Sequence, residues 1–181
     1  MEKKPKHPVA HRENRCLRKV NLETGEQTSL RTDIEPVGYH AWLNPTQAAV
    51  FVLGDTMTLQ ILDTESEQMP LVLSEDIGRC LETLFQDKVS FTQKIDGQHR
   101  IFALDASSSI IDTGIVLPEG VEDYVWLNER QVIVGDGSKL FVVAVRSKKL
   151  LVDLKKHDVD GITRLALSPD KQSLALVYKR P

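Results

Sequence analysis

Short apolar runs alternate with short polar turns along almost the whole chain, and the alternation repeats. Leu17-Arg18-Lys19-Val20-Asn21, Leu59-Gln60-Ile61-Leu62-Asp63 and Arg100-Ile101-Phe102-Ala103-Leu104-Asp105 end on Asn21, Asp63 and Asp105, which recur at intervals of 42. Trp42-Leu43-Asn44 returns as Trp126-Leu127-Asn128, 84 residues or two periods later, and Leu167-Ser168-Pro169 follows after 41 more. A period of about 40–45 residues built from short strands is that of β-propeller blades.

Each full repeat predicts four strands. The first starts polar and ends at a Trp or Leu, over residues 38–42, 78–81 and 123–126. The second is apolar throughout, over 48–53, 89–92 and 132–134, as befits a strand covered on both faces. Gly54-Asp55, Asp96-Gly97 and Gly135-Asp136-Gly137-Ser138 then supply the positive φ that a tight hairpin demands. The third strand spans 59–62, 101–104 and 140–143, and a weaker fourth spans 71–73, 110–115 and 150–152. A weak outer strand suits a blade edge facing water. Residues 75–86 have some amphipathic character, but Gly78 and the repeat register predict a strand there, and no helix is expected anywhere.

The ends are partial repeats. Residues 16–30 match a third and fourth strand, and 161–178 match a first and second. The predicted fold is therefore an all-β propeller of about four blades. Three are complete, and one is split between the termini and closes the ring. The alternative is an open arc of a larger propeller, whose free edges would favour self-association. Residues 1–14 are expected to form a flexible tail and 15–181 the repeats.

The 181 residues fit one domain, and a net charge of −3 gives no pull toward nucleic acid. The basic start, Met1-Glu2-Lys3-Lys4-Pro5-Lys6-His7, reads as a solvated tail. No run is long enough to span a membrane, and the start lacks the apolar core of a secretory signal. Cys16 and Cys80 fall at different strand positions, which argues against a bridge; each reads as a small buried hydrophobe.

No catalytic motif stands out. Gly-x-Ser-x-Gly, His-Glu-x-x-His and Cys-x-x-Cys are all absent. His7 and His11 are four apart, but Pro8 disfavours a shared helical face. Asp158-Val159-Asp160-Gly161 lacks the remaining ligands of a calcium loop and reads as a turn. Trp42 and Trp126 share a repeat position, so blade packing is expected of both. No enzyme activity, metal or cofactor is expected.

Aligning the repeats on Trp42, Trp126 and Leu167 brings Tyr39 and His40, Asp123 and Tyr124, and Arg164 into correspondence. Arg79 joins them with a one-residue gap, and Glu122 adjoins Asp123. In a propeller these positions converge at the mouth of the channel. Two readings follow. A small polar ligand is bound there, its carboxylate or phosphate gripped by Arg79 and Arg164. Alternatively, the groups satisfy one another as salt bridges between blades.

Pro36-Val37-Gly38-Tyr39-His40-Ala41-Trp42-Leu43, Ala49-Val50-Phe51-Val52-Leu53-Gly54 and Thr58-Leu59-Gln60-Ile61 resemble the TolB-like (WD40-like) β-propeller repeat proteins of bacteria. So do Ile77-Gly78-Arg79, Glu122-Asp123-Tyr124-Val125-Trp126, Gly137-Ser138-Lys139-Leu140-Phe141 and the stretch 161–170, which ends in Ser168-Pro169-Asp170. The resemblance covers residues 16–178. It implies an exported or periplasmic platform that binds a protein partner and has no chemistry of its own. Members usually begin with a signal peptide and carry further blades, and this sequence departs from both. If the chain as written is complete, a cytoplasmic setting is expected instead. A small-ligand sensor, or the propeller part of a larger hydrolase or lyase, are the alternatives.

Overall fold

The computed structural model describes residues 17–31, 34–66, 68–84 and 87–179. These form sixteen strands in five antiparallel sheets, with one 3-10 turn at Lys155–His157. β1 (Leu17–Val20) and β2 (Gln27–Arg31) make a first half-blade. Blade 1 comprises β3 (Val37–Trp42), β4 (Gln47–Val52), β5 (Thr58–Asp63) and β6 (Val72–Glu75). Blade 2 comprises β7 (Ile77–Leu84), β8 (Lys88–Ile95), β9 (Gln98–Asp105) and β10 (Ile110–Val116). Blade 3 comprises β11 (Tyr124–Asn128), β12 (Gln131–Asp136), β13 (Lys139–Ala144) and β14 (Ser147–Asp153). β15 (Asp160–Leu167) and β16 (Leu174–Lys179) make a last half-blade. Every predicted strand is present, including the one over 75–86.

The residues that mark the repeat are turn formers. Asn21 Oδ1 accepts the backbone N–H groups of Glu23 (2.9 Å) and Thr24 (3.1 Å). Asp63 Oδ1 accepts that of Glu65 (2.9 Å), and Asp105 Oδ1 those of Ser107 (2.9 Å) and Ser109 (3.0 Å). Asn44 and Asn128 each donate from Nδ2 to the glutamine three residues on, at 2.9 and 2.8 Å. Side chains of this type close a turn by substituting for backbone groups.

The predicted hairpins hold in part. Asp96 (φ 51°) and Gly97 (φ 82°) form the two-residue connection of β8 to β9. Gly54 and Asp55 do not take positive φ, because the loop there runs over 53–57 and needs no mirror-image turn. Gly135 belongs to β12 rather than to the turn after it. A Cβ on it would lie 2.3 Å from Ile162 Cγ2, so it permits the close approach of β12 to β15.

The core lies between sheets, in four apolar layers. The first half-blade lays Leu17 and Leu30 on Ile34, Val37, Val50 and Leu62. Blades 1 and 2 share Phe51, Leu59, Val89, Phe91 and Leu104. Blades 2 and 3 share Ile101, Ile115, Tyr124, Val132 and Val134. The last half-blade packs Ile162, Leu165, Leu174, Leu176 and Tyr178 on blade 3.

The split blade does not close. Among the described residues β1 pairs with β2 alone and β16 with β15 alone, so the described strands form the open arc. Each half-blade spends its apolar face on its sequence neighbour rather than on the other half. The consequence is plain in β16. Its counterparts β4, β8 and β12 are buried through their middles, whereas β16 alternates half-buried and exposed residues, with Val177 57% exposed.

The two tryptophans separate for the same reason. Trp126 leans on the second strand of the blade before it, its Nε1 donating to Ser90 Oγ at 2.8 Å. The blade before Trp42 is the first half-blade, which has no second strand among the described residues, and Trp42 is 43% exposed. Trp42 is therefore not a packing residue. Cys80 is a buried free thiol, and burial pushes its pKa up, away from reactivity. Cys16, His7, His11 and the 1–14 tail lie outside the described residues.

Candidate functional site

The first strand of each blade, and of the last half-blade, delivers one polar residue to the channel. Tyr39 comes from β3, Arg79 from β7, Asp123 from the residue before β11, and Arg164 from β15. Arg79 Nη2 donates to Asp123 Oδ2 at 2.5 Å and to the Thr163 carbonyl at 3.3 Å. Its Nε stands 3.1 Å from Glu122 Oε1. Arg164 Nη1 lies 3.6 Å from the other Asp123 oxygen, its Nη2 donates to the Tyr39 hydroxyl, and its guanidinium lies 4.9 Å from the Tyr39 ring centre. Asp123 is the hub. It holds one arginine on each oxygen and ties three first strands together. Its hydrogen bond is the main cause that raises the Arg79 pKa.

Five of the seven predicted residues thus meet: Tyr39, Arg79, Glu122, Asp123 and Arg164. Two do not. His40 is exposed on β3 and makes none of these contacts. Tyr124 is buried between blades 2 and 3, its hydroxyl donating to Ser90 Oγ at 2.7 Å, and burial raises its pKa well above that of a free phenol. Alternation along a strand explains both: neighbours of Tyr39 and Asp123 point to the other face. The two arginines are engaged by the chain's own carboxylates and hydroxyl. A cavity of about 180 Å³ remains beside them, lined by Glu119, Glu122, Asp136 and Thr163 as well as the arginines.

Next to this plug Gly78 makes room for Thr92. A Cβ on Gly78 would fall 2.1 Å from Thr92 Oγ1, 3.4 Å from Glu122 Oε2 and 3.4 Å from His99 Cε1. Thr92 Oγ1 and His99 Nδ1 are buried without a hydrogen-bond partner among the described residues. Burial lowers the His99 pKa, so the ring is neutral at pH 7.

At the opposite end of the first strands lies a residue that sequence reasoning missed. Cross-strand pairing sets Thr83 against Val89 as Trp42 faces Ala48 and Trp126 faces Val132. Thr83, not Leu81, therefore holds the tryptophan position of blade 2. The register shift between Ile77 and Leu81 hides this in the sequence. One residue back, the same position holds Ala41, Glu82, Val125 and Ala166 in successive sheets. Three are apolar and one is a carboxylate. The signal was a charge inside a first strand, visible only once the register is known.

Among solved structures, the chain is similar to TolB from Acinetobacter baumannii, with a TM-score of 0.65 and 15% identity. The match covers 91% of this chain and 43% of that one, so the chain spans less than half of that structure's length. No protein-family model and no curated protein matches the sequence. The likeness, together with the repeated four-stranded sheets, establishes that the chain has a TolB-like β-propeller fold.

Proposed function

We propose that the chain is a non-enzymatic interaction module that binds a protein partner at an end of its channel. The supporting observation is the plug. Glu122 and Asp123, the two carboxylates nearest the arginines, are committed to them. An exported, periplasmic setting in a bacterium accompanies this reading by resemblance. It is tested by fractionating the source cell.

Site-directed photo-crosslinking tests the binding surface. A benzophenone side chain is placed at Glu119 or at Asn128, near the two channel ends, and at Leu150 on the outer strand β14. One defined protein captured from an end position and not from Leu150 is the expected result. Capture from Leu150 alone, or substrate turnover by the purified chain, contradicts it. The second reading is a small polar ligand in the 180 Å³ cavity beside Arg79 and Arg164. A ligand-induced melting shift that Arg164→Ala abolishes would favour it.

A further inference from the structure

The end of the channel away from the plug opens into a cavity of about 460 Å³, within the range of ligand sites. Glu82, Val125 and Ala166, equivalent residues of three successive sheets, all line it. The rest of the wall is largely apolar, with Leu84, Trp126 and Leu165. Among the described residues nothing pairs with the Glu82 carboxylate; burial is the chief influence on it, and Asp123 the other. The architecture does not need a charge here, because the other sheets place Ala41, Val125 and Ala166 at this position.

The ring beside Glu82 is held in place. Trp126 Nε1 and the Tyr124 hydroxyl both donate to Ser90 Oγ, at 2.8 and 2.7 Å. Ser90 in turn donates to the Glu82 carbonyl at 3.2 Å. One fully buried hydroxyl thus ties the tryptophan to the glutamate's own backbone. An unpaired carboxylate beside an anchored indole over an apolar wall suits an amine or guanidinium on an aliphatic stem.

We infer that this cavity is a socket for the basic side chain of a partner, a lysine or arginine whose charge meets Glu82 and whose stem lies along Leu84, Leu165 and Trp126. The inference rests on the interaction-module reading and deepens it. Lys171, at the rim, does not fill the socket, since its Nζ donates to the Leu127 carbonyl at 2.8 Å. The other titratable groups acting around Glu82 are Asp123 and Tyr124 from the β11 side and Cys80 on β7. None of them is a cation. Burial first and the Asp123 charge second push the Glu82 carboxyl up to about 7, the direction expected of an acid with no counter-charge beside it.

The test uses Nα-acetyl-arginine amide and Nα-acetyl-lysine amide, with Nα-acetyl-norleucine amide as the uncharged control. The Trp126 indole N–H signal is followed by NMR at about pH 8, where Glu82 is ionised. Saturable shifts with both basic probes are expected, with binding at least about tenfold weaker for norleucine and for Glu82→Gln. Saturating probe should also lower the titration midpoint of the Glu82 carboxyl in the unmodified protein. An equal response to norleucine, undiminished binding to Glu82→Gln, an unmoved midpoint, or no saturable shift would each overturn the socket. If the probes fail while photo-crosslinking still captures a partner, the socket alone is wrong. If the probes bind and no partner is captured, the interaction reading is wrong.

Discussion

Glu82 is charged above neutrality where its equivalents are alanine or valine, and this has a consequence for stability. Its pKa is raised from an ordinary 4.5 to about 7, by burial first and Asp123 second. For an acid whose folded pKa is raised, the stabilising contribution is fully present below the unfolded value of 4.5 and is lost as pH climbs through about 7. Glu82→Gln should therefore match the parent near pH 4 and be more stable by about 2 kcal/mol near pH 8.5. Urea unfolding at the two pH values checks this. A variant no more stable at the higher pH would mean that the carboxylate already has its counter-charge. Gly78 makes the opposite kind of demand. Any side chain there collides with the Thr92 hydroxyl, so Gly78→Ala should cost about 1–3 kcal/mol. A neutral result in thermal unfolding would show that Thr92, whose hydroxyl has no partner to lose, simply turns away.

At the level of strands and blades, the two tryptophans give the sharpest contrast. Trp126→Ala removes a ring anchored on the neighbouring blade and should cost about 3 kcal/mol; Trp42→Ala, at the same repeat position but without a neighbour, should cost less than about 1 kcal/mol. Equal costs would mean that Trp42 is covered in solution. The repeat made nearly all of this level legible in advance. Asn21, Asp63, Asp105, Asn44 and Asn128 are local turn formers, and local chemistry shows in a sequence. The meeting of Tyr39, Arg79, Asp123 and Arg164 was legible too, because equivalent positions on first strands must converge. What escaped depends on register and on neighbours. The shift between Ile77 and Leu81 moved blade 2 by two residues and concealed Glu82. The exposure of Trp42 depends on a strand that is not beside it.

Across the whole molecule, the channel residues act as a bolt between sheets whose outer edges are otherwise independent. Arg79 reaches Asp123 before blade 3 and the Thr163 carbonyl of the last half-blade. Asp123 is the more buried partner, so its loss takes the carboxylate from Arg164 and leaves Arg79 with Glu122 alone. A cycle of Arg79→Ala and Asp123→Ala should give a coupling of about 1–2 kcal/mol. Additive effects would show that the plug is not structural and would return Arg79 to the pool of ligand-binding groups. The arc itself rests on one topological fact, that β16 and β1 do not pair. Val177, Trp42 and the free edge of β16 all follow from it. Hydrogen exchange on the purified chain, read residue by residue, tests it most directly. Slow exchange is expected through β4, β8 and β12, and fast exchange at the amides of β16 that face away from β15. Protection of those β16 amides to the level of β12, together with slow exchange in β1, would mean that the halves join into a closed ring.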